Sequence, residues 1–223
     1  MLALHRMRSL LIKFRTMQVN QLRGLLYEFG VSFRTGRVAG LNEIRMRMAE
    51  LENALPATMV SSLQDQLKRI DCIQQDIDQL ENKISVWHKQ EAACQAIAAI
   101  PGIGKLSATA LVATIGDAST FRSGREFASF IGLVPRQSGT GGKVRLGGIS
   151  KRGDPYLRTL LIHGARSVMR HTKEPGDWQK AIQSRRPGNV VTVAVANKMA
   201  RTVWAILAHG STYDKHHVSI KPA

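Results

Sequence analysis

Ser138, Thr140 and Ser150 are the only hydroxyl side chains in PRQSGTGGKVRLGGISKRGD, residues 135–154, and five cations surround them: Arg136, Lys143, Arg145, Lys151 and Arg152. The same stretch holds six glycines and one acid, Asp154. A hydroxyl that attacks a phosphodiester must reach the phosphorus, lose its proton, and meet cations on the non-bridging oxygens as charge develops. Glycines allow the approach, and arginines grip phosphate through paired N–H donors. No base stands within the segment. The same residues also suit a loop that holds phosphate without covalent chemistry, and composition alone favours that passive role. The pattern GxxxxGK[ST] is absent from it, which excludes a P-loop. The glycines disfavour a packed strand or helix, so the stretch reads as a loop with a short strand only over Lys143–Leu146.

The rest of the chain must position that loop. At 223 residues with 43% apolar composition, it can build one large core or two modest ones. The formal net charge of +16 is uneven: residues 135–223 hold 16 basic and 4 acidic residues. A clustered excess of that kind attracts nucleic-acid phosphate and predicts salt-dependent binding. No run approaches the roughly 18 consecutive apolar residues of a membrane span, and the first residues lack a signal-peptide cleavage site. The expectation is a cytoplasmic, nucleoid-associated protein with no membrane partner. Cys72 and Cys94 stand far apart without a CxxC partner, and the seven histidines show no HExxH or paired ligand spacing, so no metal site is expected. His216 and His217 read as a solvated tail.

Hydropathy periodicity predicts a mainly α fold. Residues 2–28 read as an amphipathic helix with Leu4, Met7, Leu11, Phe14, Leu22 and Leu25 inward and Arg6, Arg8, Lys13, Arg15 and Arg23 mostly on the wet face. A second helix is expected from Leu41 to Pro56. From Val60 to Trp87, Leu63, Leu67, Ile70, Ile73, Ile77, Leu80, Ile84 and Trp87 follow in steps of three and four, the seam of a coiled coil against the first helix or a second subunit. Asp65, Asp71, Asp76, Asp78 and Glu81 on that helix read as its wet face rather than a metal cluster. Further helices are expected at Gly124–Leu133, at Pro155–His171 with Asp154 as N-cap, and at Val190–His209. The boundary between a helical, coiled-coil connector and a compact helical domain is placed at residues 94/95, giving 1–94 and 95–223.

The turn IPGIGK, Ile100–Lys105, resembles the second half of a helix-hairpin-helix. In that motif backbone N–H groups at the next helix start bind phosphate without reading sequence. Gly102, Gly104 and Lys105 are the contacts it implies.

The ordered succession IPGIGKLSATALVATIGD, then FRSGREFASFIGLVPRQSGTGGKVRLGGISKRGDPYLRTLL, resembles the C-terminal domain of insertion-sequence transposases of the 110 and 1111 type. The likeness is close over residues 95–169, and NQLRGLLYEFG in the preceding helices looks like that family's coiled-coil connector. The resemblance implies a recombinase that uses a structured guide RNA, an N-terminal RuvC-like domain whose four acids bind magnesium, and a C-terminal serine that becomes joined to DNA. It also implies dimers that pair into a tetramer.

Two departures qualify what carries over. The family's serine usually falls four or five residues after the proline and directly before a glycine. Here Ser138 lies three after Pro135 and precedes Gly139, whereas Thr140 lies five after and precedes Gly141. Ser138 is the expected nucleophile and Thr140, more hindered, the alternative. The RuvC-like acids are not read in this chain, whose first acid is Glu28, so Met1 is expected to be an internal methionine of a longer protein. Magnesium is thus implied only through that domain, and the competing expectation is a truncated, non-catalytic nucleic-acid-binding remnant. A third reading, a tyrosine nucleophile at Tyr156 or Tyr213, lacks the spaced Arg-His-Arg companions such enzymes require.

Overall fold

A computed structural model describes residues 1–215, so His216 and His217 lie outside the described residues. In chain order the elements are α1 (Leu2–Glu28), α2 (Arg37–Met46), α3 (Met48–Ala54), α4 (Ala57–Gln90), α5 (Ala92–Ala98), α6 (Lys105–Ile115), a 3-10 turn Ala118–Thr120, α7 (Gly124–Phe130), β1 (Pro135–Thr140), β2 (Lys143–Ile149), α8 (Pro155–His171), α9 (Asp177–Gln183) and α10 (Gly188–His209). The mainly α expectation holds. The chain divides within α4 into two compact units, Leu2–Lys83 and a second that starts at Ile84.

In the first unit α1 and α4 run antiparallel. Arg8 Nε donates to Glu81 Oε1 at 2.7 Å, Arg15 donates to Gln74, and Gln66 Nε2 donates to the Gln18 carbonyl at 3.2 Å. Val19, Leu22 and Leu26 of α1 share an apolar cluster with Leu63, Leu67 and Ile70 of α4. The α4 seam is therefore filled from within the same chain. The inward stripe of α1 differs from the expected one. It runs through His5, Val19, Leu22 and Leu26, while Met7 and Phe14 are exposed. Arg8 and Arg15 sit at the edge of the seam because Glu81 and Gln74 of α4 receive their guanidiniums, a pairing that one helix read alone does not show. The expected second helix is broken at Arg47, whose guanidinium binds Glu50 at 2.7 Å and lies 5.3 Å from the Phe33 ring.

The second unit packs α5–α8 and α10 around one core that includes Ile97, Leu111, Phe127, Ile131, Leu157, Leu161 and Val203. α10 is long and apolar enough to cross a membrane by composition, yet Val191, Val195, Met199, Val203 and Ile206 are buried in this core. The periodic apolar positions thus mark the axial helix of a packed domain. α8 begins as expected: the Asp154 side chain accepts from Tyr156 N at 2.7 Å, and Pro155 follows at the first helical position.

Candidate nucleic-acid interface

The expected loop is a β-hairpin. β1 and β2 pair antiparallel with Thr140 opposite Lys143, Ser138 opposite Arg145 and Gln137 opposite Leu146, and the register shifts between Pro135 and Gln137. Gly141 and Gly142 both have positive φ, 59° and 78°, as a tight two-residue hairpin turn of opposite hand to the common turns demands. The glycines that argue against a strand are therefore what close one. Gly139 is needed for a second reason: a Cβ there would collide with the Lys143 carbonyl.

Both strands are exposed almost throughout, so the hairpin gains little from burial and is held by its roots. Ser150 N donates to the Val134 carbonyl at 2.8 Å and Lys151 N to the Gly132 carbonyl at 3.2 Å. Arg158 of α8 lies off that helix's apolar stripe. It is half-buried, and its guanidinium donates to the carbonyls of Ile131 at 3.0 Å and Arg152 at 3.1 Å, one on each root. Asn197 of α10 donates to the Leu133 carbonyl at 3.2 Å. Gly132 and Gly153 let the roots cross, because a Cβ on either would overlap the carbonyl of Arg152 or Phe130 respectively.

Side chains alternate faces along a strand, and directly opposed residues share a face. One face of the hairpin thus collects Arg136, Ser138 and Thr140 from β1 with Lys143 and Arg145 from β2. The other carries Gln137, Val144 and Leu146, the last two 65% and 66% exposed. Both candidate hydroxyls therefore stand among cations, Ser138 with Arg145 directly across from it.

Beside the hairpin root lies an open groove of about 570 Å³, lined by Arg125, Ser129, Pro135, Gln137, Asn197 and Arg201 among others. α7 and α10 touch where a Gly124 Cβ would come within 3.1 Å of the Arg201 Cα, which brings Arg125 and Arg201 to the same groove. These two arginines and Asn197 were not singled out from sequence, since each sits on a helix face that periodicity marks only as polar. The signal available was Gly124, a glycine at the start of an apolar helix. Between described residues, the ion pairs all fall in the first unit, among residues 8–81. Among the described residues, the cations around the hairpin and groove thus form no ion pair.

The remaining sequence candidates are dispersed. Lys151 and Arg152 are exposed at the returning root, and Lys151 alone of the described non-glycine residues has positive φ, 54°. Ser150 Oγ is buried there without a hydrogen-bond partner. Gly102 has a packing explanation: with φ of +86°, its Cβ would lie 2.7 Å from the Gly164 carbonyl, so it is the close contact between the α5–α6 turn and α8. Gly164 is ten residues past Asp154, about 15 Å along the helix axis, so this turn is not gathered with the hairpin. Gly104 is exposed at the start of α6, and the exposed Lys105 donates to Ser85 Oγ at 3.3 Å. Tyr156 and Tyr213 both pack against the core, and burial together with Asp214 raises the Tyr213 pKa, which makes it a poorer nucleophile.

Magnesium needs converging oxygen donors. Among the described residues no group of three or more His, Cys, Asp or Glu side chains could hold a metal ion. The one acid next to the hairpin, Asp154, is occupied in capping α8. The described residues do not fit a magnesium site.

Residues 94–179, which span α5 to the start of α9, match the model of the family described as Transposase IS116/IS110/IS902 family. The chain is 46% identical over 216 residues to a "Probable family 20 transposase" of Pseudomonas aeruginosa, covering 95% of this chain and 64% of the relative. It is 39% identical to the "Transposase for insertion sequence element IS1111A" of Coxiella burnetii, over 95% of this chain and 59% of the relative. It is 35% identical to the "Transposase for insertion sequence element IS1328" of Yersinia enterocolitica, over 96% and 65%. The chain spans less than two thirds of the length of each of these relatives. The hairpin, its roots and one wall of the groove therefore lie in the segment that carries the signature of the IS116/IS110/IS902 transposases, within a chain similar to such transposases over nearly all of its length.

Proposed function

We propose that this chain is the DNA-joining part of an insertion-sequence transposase, with Ser138 as nucleophile and Thr140 as the alternative. The observation that carries the reading is the shared hairpin face, on which Ser138 stands opposite Arg145 and beside Arg136 and Lys143. Ser138 Oγ attacks a DNA phosphorus, an Oγ–P bond forms, and the P–O bond to one deoxyribose oxygen breaks. The hydroxyl proton passes to water or to a base supplied from outside the hairpin, and a proton is returned to the departing oxygen. One phosphodiester replaces another, so the strand can be rejoined by the reverse attack. The cations hold the non-bridging oxygens as charge rises, and Arg125 and Arg201 grip the flanking phosphates in the groove. Lys151 and Arg152 meet the same backbone at the root. Gly104 and Lys105, with Gly102 shaping their turn, bind a more distant phosphate.

The likeness to longer transposases supports DNA as partner, a bacterial nucleoid setting and, through the family resemblance, a structured guide RNA. Self-association is also part of this reading. Because α1 already fills the α4 seam, it uses the outer stripe of α1, where Met7, Leu10, Phe14 and Met17 are 45–56% exposed at helical spacing.

The test is covalent capture. Labelled duplex carrying the element's own ends is incubated with this chain, and separately with the chain joined to the N-terminal part of its 46% identical relative. Protein–DNA adducts are then resolved after denaturation. Ser138→Ala is expected to abolish the adduct while DNA affinity stays within about twofold, whereas Thr140→Ala retains it. An adduct that survives Ser138→Ala and is lost with Thr140→Ala assigns the threonine instead. If neither form makes an adduct, the serine mechanism is wrong. The second reading, nucleic-acid binding without joining, is favoured by one observation: the hairpin and its roots offer no free carboxylate or imidazole to take the proton. It predicts binding by this chain and no adduct.

A further inference from the structure

Trp178 is the largest apolar side chain that α9 presents, and it is spent on nothing in the core. No residue of α9 is buried, and the indole is 43% exposed. Tryptophan is highly buried on average, and an exposed indole offers a flat face on which a nucleobase can stack. The ring is nonetheless held in place: Lys198 Nζ of α10 lies 4.7 Å from its centroid. That cation–π contact fixes one side of the indole and leaves it open elsewhere.

The position of Lys198 gives the ring its significance. It follows Asn197 and stands three residues before Arg201, and both of those line the groove beside the hairpin. The indole and the groove are therefore both attached to α10, through neighbouring residues of that helix. The exposed charged side chains of α9 and its flanks, residues 173–186, are mostly cationic: Lys173, Lys180, Arg185 and Arg186 against Glu174 and Asp177. An aromatic platform set among unneutralised cations matches a nucleic-acid strand, whose bases stack on the ring while its phosphates lie on the cations. Bases in a duplex are already stacked on each other, so the platform selects an unpaired nucleotide.

We propose that Trp178 is a stacking platform for an unpaired nucleotide, backed by Lys198, with the exposed cations of α9 and its flanks on the adjoining phosphates. The inference rests on the reading of the groove as a nucleic-acid interface and adds its selectivity for single-stranded or extruded nucleotides. The nucleotide could belong to a DNA strand or to an RNA, because the stacking chemistry is shared.

The test measures affinity by fluorescence anisotropy for a labelled oligo-dT, an oligo-U and a duplex of equal length, at one salt concentration. Trp178→Ala is expected to weaken oligo-dT, oligo-U or both by about tenfold while duplex affinity stays within twofold, and Trp178→Phe is expected to recover most of the loss. A loss confined to oligo-dT names a DNA strand as the source, and one confined to oligo-U names an RNA. Photocrosslinking of a 5-iodouracil-substituted strand to the wild-type chain, expected at Trp178, tests the contact without any substitution. Equal loss for single strand and duplex, no loss at all, or crosslinks elsewhere would overturn the platform while leaving the groove reading intact. Failure of the wild-type chain to bind any of the three, by contrast, removes the groove reading and the platform with it.

Discussion

His5 stands near the start of α1 with its imidazole buried, and burial together with Arg8 lowers its pKa to about 4. The folded chain therefore favours the neutral ring, whereas an unfolded imidazole titrates near its ordinary 6.5. The stability that His5 contributes is complete above that value and is lost as pH falls towards 4. By pH 5 the loss should reach about 2 kcal/mol. Urea midpoints measured at pH 7 and pH 5 should differ more in wild type than in His5→Gln, and equal shifts would refute the assignment. At this scale the sequence displayed which hydroxyls and cations were present but not which of them meet. Ser138, Arg145 and Lys143 were legible as chemistry, whereas Arg125, Asn197 and Arg201 were not, because they belong to helices far apart in the chain.

The hairpin depends on backbone crossings rather than on side-chain burial. Gly153 has φ of +85°, and its Cβ would overlap the Phe130 carbonyl. Gly153→Ala is expected to cost at least about 1 kcal/mol from the backbone conformation, with more from the collision, and to displace the roots. DNA affinity should fall at least about fivefold while helical circular dichroism is unchanged, since the strain is local and 1.4 kcal/mol is a factor of ten. Gly148→Ala is the control: a Cβ there meets no atom within 4 Å. Comparable losses in both variants would show that the roots do not set the hairpin's position. Among the helices, Pro155–His171 was readable because its cap, its first-turn proline and its apolar period agree. The sequence reads mostly as a loop at the hairpin because glycine content lowers strand propensity everywhere, whereas paired positive-φ glycines in a turn favour a hairpin.

Charge distribution is a property of the whole chain, and its consequence is measurable. If Arg125, Arg136, Lys143, Arg145 and Arg201 each neutralise a phosphate, log affinity for duplex DNA should fall with log salt at a slope of about −4.5. Replacing Arg125 and Arg201 together by alanine should make that slope shallower by about 2. Anisotropy titrations across salt concentrations read both values, and an unchanged slope would remove the groove from the interface. What the sequence by itself determined was the helical class, the period of α4, the start of α8 and the basic character of the C-terminal part, because each is a local pattern or a simple sum. Tertiary structure alone decided that α4 turns its seam to α1, that two root glycines cross the hairpin strands, and that Arg125 and Arg201 meet across Gly124. Those outcomes depend on which surfaces approach closely enough to touch, and no window of neighbouring residues carries that information.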